Sequence, residues 1–169
     1  MSSPATALTP DFVVAYRELI LSNMAGESKT TRKVIAAVPE VSKDWRPDRL
    51  SRTARELAWH LAYEEVMFLN KIADMKIAMG EQPQPPATIA EIIRYYDEKL
   101  PPAIGRVREM TAKQLLTPVS FFGLVTEPLF RYLMLINNHS IHHRGQLSSY
   151  LRSMGSKVPS IYGPSADEK

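Results

Sequence analysis

The reading of one stretch, TEPLFRYLMLINNHSIHHRGQLSSYLRSMG from Thr126 to Gly155, decides the fold. At about 100° per residue, Tyr132, Leu135, Ile136, Leu147, Tyr150 and Met154 fall on one apolar arc, the mark of a helix packed on a core. Thr126 with Pro128 close behind predicts the helix start, and Gly155 after Met154 predicts its end. His139 and His143 lie inside the arc, about 40° apart in projection. His142 sits at its edge, while Asn138 and Arg144 project toward the polar side. Two inward imidazoles at i and i+4 can grip one ion from a single helix face.

Three further helices lie upstream of this one. Thr9 caps the first, with Pro10 at its first position. It carries Phe12, Tyr16, Leu19 and Ile20, meets a weak point at Gly26, and resumes through Val34, Ile35 and Val38. After Pro39, SKDWRPD reads as a loop. The second helix is expected from about Ser51 to Met79, ended by Gly80 and EQPQPP. Thr88 with Glu91 gives a capping box for the third. Pro101 and Pro102 should kink or break that helix before it resumes to about Met110. TPVSFFG reads as a short extended piece or turn, and KVPSIYGPSADEK as an irregular tail. Four long helices without a substantial sheet predict an all-α four-helix bundle. The expected organisation is one domain over 1–169, with irregular ends at about 1–8 and 163–169.

The fourth histidine, His60, lies mid-way along the second helix in ELAWHLAYEE. Leu57, Glu64, Met67, Phe68 and Met75 share its projected face, so a third imidazole also points inward. Facing helices of a bundle core are a common seat for metals. Three imidazoles leave positions open to water or substrate, as catalysis needs, whereas a structural zinc more often has four protein ligands. Glu64 projects into the apolar arc and Glu65 near its polar edge. An uncompensated core carboxylate is costly, so Glu64 needs a partner. It is a fourth ligand, an acceptor for an imidazole N–H, a general base, or half of a salt bridge to an arginine such as Arg144. Gln146, close to the His139 direction, can orient a ligand or bound water.

Composition narrows the classes. With 44% hydrophobic and 23% charged residues the chain is ordinary globular protein. A formal charge of +3, without a basic block interleaved with aromatics, argues against a nucleic-acid partner. The absence of cysteine removes disulfides, thiolate nucleophiles and sulfur-ligated metals. No apolar run is long enough to span a bilayer, and MSSPATALTPDF lacks the features of a signal peptide, so the expected compartment is the cytoplasm. The pI near 9.2 is compatible with anionic small molecules near the site.

RTARELAWHLAYEE, NNHSIHHRGQLSSYLRSMG and VPSIYGPSADE together resemble the DinB/YfiT-like family of four-helix metalloenzymes, which is distinct from the DNA polymerase sharing the DinB name. HHRGQL with the trailing YLRSMG and VP is the distinctive part, and the helix order agrees across nearly the whole chain. The resemblance implies a bundle with one long crossover and His60, His139 and His143 as metal ligands, with His142 not a ligand. It also implies a homodimer. Characterised relatives include transferases and isomerases that use low-molecular-weight thiols such as bacillithiol or mycothiol. Family metals vary among nickel, zinc, iron and manganese. Three neutral imidazoles themselves favour zinc, nickel or ferrous iron over magnesium or calcium.

The leading expectation is therefore a metal-dependent enzyme acting on a small-molecule substrate, with Glu64 and Gln146 as its catalytic side chains. A thiol nucleophile gives S-transfer or isomerisation, and water gives hydrolysis. A second reading is a non-catalytic metal-binding bundle that stabilises the fold or responds to stress, with Glu64 closing the ligand set. A third is a metal-free dimerisation or lipid-binding bundle with Met67, Phe68, Met75 and Met79 lining an apolar pocket.

Overall fold

The computed structural model describes residues 8–167. Four long helices, α1 (Pro10–Ala36), α2 (Ala54–Ala73), α3 (Ile89–Arg108) and α5 (Leu129–Ser153), are joined by connections that hold the short α4 (Ala112–Leu116) and a hairpin of β1 (Pro118–Phe121) and β2 (Val125–Pro128). α2 packs on α3 and α5, and α1 packs on the same two, so α1 lies diagonally opposite α2. Residues 37–53 and 109–128 connect the diagonal pairs. Among the described residues no helix is long and apolar enough to cross a membrane. Residues 163–167 form no regular element; the rest of the tails expected from sequence, 1–7 and 168–169, lies outside the described residues.

The helix ends follow their caps. Thr9 Oγ1 accepts from Phe12 N at 3.2 Å, and α1 runs unbroken through exposed Gly26. α2 is shorter than the expected Ser51–Met79. It starts where Thr53 and Glu56 cap each other, Thr53 N donating to Glu56 Oε2 at 2.7 Å. It stops at Ala73 because Met75 turns left-handed (φ 55°), which lets Lys76 N donate back to Lys71 O at 3.0 Å. Gly80 plays no part in that ending.

The Thr88–Glu91 capping box opens α3 as expected. Pro101 and Pro102 do not break it: both are exposed, so the Asp97 and Glu98 carbonyls that lose their donors face the water side. The expected start of the last helix at Thr126 is also corrected. Thr126 pairs with Ser120 in the hairpin, and α5 begins at Leu129, because Pro128 holds the residue before it extended. Tyr132 pins the hairpin to α5, its hydroxyl donating to Val119 O at 2.8 Å and accepting from Glu127 N at 3.0 Å. Gly155 (φ 76°) closes α5 as expected.

The core includes Leu21, Ile35, Leu57, Leu61, Leu69, Ile92, Leu133 and Leu147, all buried. Leu135, placed on the inward arc by projection, is 44% exposed. Of the four side chains in the third reading, Met67 and Met75 are partly buried against the core. Phe68 stacks on Phe121 with ring centroids 5.8 Å apart, and Met79 is 78% exposed in the segment after α2.

Candidate metal centre

α2 and α5 lie side by side, and their contact brings His60 against His139 and His143. The Nε2 atoms of His60 and His143 are 3.2 Å apart, and ring centroids lie 5.0 Å (His60–His139), 4.6 Å (His60–His143) and 4.4 Å (His139–His143) apart. Each imidazole offers one nitrogen to a group whose members all lie within 4.8 Å of one another. His142 is exposed and outside the group, although its ring sits 4.8 Å from that of His143.

Two ring nitrogens, His60 Nδ1 and His139 Nδ1, are buried with no hydrogen-bond partner. Leaving such atoms unpaired is costly. His143 Nδ1 stands 2.9 Å from Gln146 Oε1. The amide oxygen accepts only from a protonated Nδ1, which leaves the Nε2 lone pair of His143 directed at the cluster. The 3.2 Å between the two Nε2 atoms is close to the roughly 3.3 Å edge of a tetrahedron with Zn–N bonds of 2.0–2.1 Å. The donor set fits a divalent transition metal.

Electrostatics keep the rings neutral. Burial, reinforced by Arg52 and by the neighbouring imidazoles, pushes His60 down to about 3. Burial and then His143, His142 and Arg52 bring His139 to about 4. His143 is lowered by burial, with Gln146 opposing. Neutral imidazole is the form that ligates metal. Glu64 is raised by burial against the pull of Lys71 and Arg52. Its Oε1 faces His60 Nδ1 at 3.9 Å, and it does not join the converging nitrogens.

With these positions fixed, the comparison with known proteins is direct. The sequence matches the DinB family over residues 1–169. The chain belongs to the DinB family. Two Bacillus subtilis (strain 168) proteins named only as uncharacterized are similar to it. YrdA is 25% identical over 144 residues, 84% of this chain and 85% of the relative; YjoA is 24% identical over 139 residues, 80% and 89%. The crystal structure of a DinB-like protein from Bacillus cereus ATCC 10987 superposes with a TM-score of 0.74 at 25% identity, covering 86% of this chain and 97% of that one. That of YjoA gives 0.67 at 21% identity, covering 89% and 99%, a likeness of fold alone.

Three features around this DinB centre differ from the sequence reading. Glu65, placed near the polar edge, is 2% exposed, while Glu64 is only half-buried. Glu65 Oε2 accepts from Tyr96 Oη at 2.7 Å and Ser140 Oγ at 3.1 Å, and burial pushes its carboxyl up to about 7. Arg144, placed on the polar side, is 1% exposed and pairs with Glu27 at 2.5 Å, so it does not neutralise Glu64 as an ion-pair partner. Its guanidinium also donates to Tyr162 Oη at 2.6 Å, tying the C-terminal segment to the bundle. The third feature is Arg52, absent from the sequence reading, whose charge bears on all three imidazoles. RPDRLSR, with arginines at 46, 49 and 52 just ahead of the His60 helix, was the available signal.

Proposed function

We propose that His60, His139 and His143 hold one divalent transition metal, zinc, nickel or iron, and that the protein is a metal-dependent enzyme whose centre is open to water or a thiol. The observation that carries the reading is the convergence of three imidazoles from two helices, one nitrogen of each within 4.8 Å of the others, in a group that no carboxylate among the described residues joins. Three neutral nitrogens with no fourth donor among the described residues suit catalysis better than a purely structural ion. When bound, the metal supplies a Lewis acid that makes water or a thiol nucleophilic at neutral pH.

The chain's own residues do the rest. Gln146 fixes the tautomer of His143. Glu64, whose Oε1 stands 3.9 Å from His60 Nδ1, is the carboxylate beside that ring, and this reading gives it the proton that an incoming nucleophile releases. Its burial-raised pKa suits a proton acceptor. The resemblance to thiol-using relatives favours S-transfer or isomerisation with a low-molecular-weight thiol; metal-assisted hydrolysis is the alternative. The same reading takes the protein as a cytoplasmic homodimer with a small-molecule substrate.

Spectroscopy of the nickel- or cobalt-loaded protein titrated with azide and with a small thiol tests the open position. The expected result is a shift of the metal bands with both. Unchanged bands would favour the closed, non-catalytic reading. A screen of bacillithiol, mycothiol and other thiols against electrophiles then separates transfer from hydrolysis: turnover that persists without any thiol identifies the hydrolase.

A further inference from the structure

The loop leading into α2 and the segment after that helix form an open cleft of about 340 Å³. Arg46, Arg49 and Arg52 line one side, and Trp59, Pro83 and Pro85 the other. Of the arginines, only these three and Arg94 lack a carboxylate partner among the described residues, so three of the four unpaired guanidinium groups converge here. Glu56 also borders the cleft, but its carboxylate is committed to the Thr53 cap at 2.7 Å. The far wall is fixed: Trp59 Nε1 donates to Pro83 O at 2.8 Å, and Arg55 donates to Pro85 O at 3.4 Å and Pro86 O at 3.2 Å.

Unpaired guanidinium groups held in a concavity are built for oxyanions, which they bind by paired, charge-assisted hydrogen bonds. The cleft has the volume of a small-ligand site. We propose that it seats the carboxylate or phosphate group of a small anionic molecule. This anion seat does not rest on the reading of the triad as a reaction centre. A narrow cleft walled by a strap, on a chain with net charge of only +3, suits a small anion better than nucleic acid or a membrane.

The test is calorimetric titration of the metal-free protein with pyrophosphate and with succinate at matched ionic strength, which separates phosphate from carboxylate preference. Saturable binding of at least one probe is expected. In the double variant Arg46→Gln/Arg49→Gln it should weaken at least about tenfold, the worth of one or more charged hydrogen bonds. Both side chains are exposed and unpartnered, so the variant should keep the wild-type melting temperature. His139→Ala should bind the probe as wild type does. No saturation by about 10 mM of either probe, equal binding by the double variant, or binding confined to duplex DNA or anionic vesicles would each overturn the proposal. Lost anion binding with full metal content would fault this inference alone, and anion binding by a wild-type protein that takes up no metal on reconstitution would fault only the reading of the triad.

Discussion

Proton competition at the triad offers a quantitative prediction. A histidine in water, with pKa near 6.5, is about 90% neutral at pH 7.5 and about 10% neutral at pH 5.5. A site of three such residues would lose about tenfold in metal affinity per imidazole over that interval, about a thousandfold in all. Here His60 lies at about 3 and His139 at about 4, so both stay neutral throughout. His143 is lowered by burial as well, so it contributes no more than a free histidine would. The apparent Kd for Zn²⁺ or Ni²⁺ should therefore rise by less than about tenfold between pH 7.5 and 5.5. The sign follows from depressed pKa values: protons compete only below them, so the loss of affinity moves to lower pH. Competition titrations against a chromophoric chelator, corrected for the chelator's own protonation, measure it. A fall near a thousandfold would refute the reasoning, because it would show imidazoles as well solvated as free histidine.

Other consequences involve the surrounding residues. Gln146→Ala frees the His143 tautomer and should weaken metal binding about 10- to 100-fold with little change in melting temperature, read by the same titration. Arg144→Ala strands the Glu27 carboxylate and releases Tyr162; urea unfolding should show a loss of about 3 kcal/mol, with metal content intact. Glu65 gives a pH signature of its own. Its folded pKa, about 7, lies above the ordinary carboxyl value, so its contribution is full below about 4.5 and is lost as pH rises through 7. Glu65→Gln keeps the acceptor for Tyr96 and Ser140 and should remove on the order of 2 kcal/mol of that pH dependence, measured by unfolding at pH 5 and pH 8.

Much of this arrangement is legible in the sequence, because caps and helical spacing are local. Thr9 with Pro10, Thr88 with Glu91 and Gly155 mark ends that the structure keeps. The inward pairing of His139 with His143 follows from four-residue spacing alone, and His60 from its apolar neighbours. The misreadings arise where one face is assumed per helix. α2 touches both α3 and α5, and Leu57 through Ala62 are buried without a break. A single projected arc therefore could not separate Glu64, beside His60, from Glu65, turned toward Tyr96. Arg144 was misplaced for a related reason: its partners Glu27 and Tyr162 are 117 and 18 residues away, and no local pattern announces a buried ion pair. The 118–128 hairpin was only partly visible, since its strands have four residues each and depend on Tyr132 for anchoring.

The central claim is that three imidazoles from two helices form one metal site. Elemental analysis of the purified, metal-reconstituted protein, set beside His60→Ala, His139→Ala and His143→Ala, tests it most directly. The account predicts about one transition-metal ion per wild-type chain and loss of that ion from each folded variant, while His142→Ala keeps it. Full metal occupancy in any of the three triad variants would contradict the ligand assignment, and a metal-free wild-type protein that gains no thermal stability from added zinc or nickel would contradict the site itself.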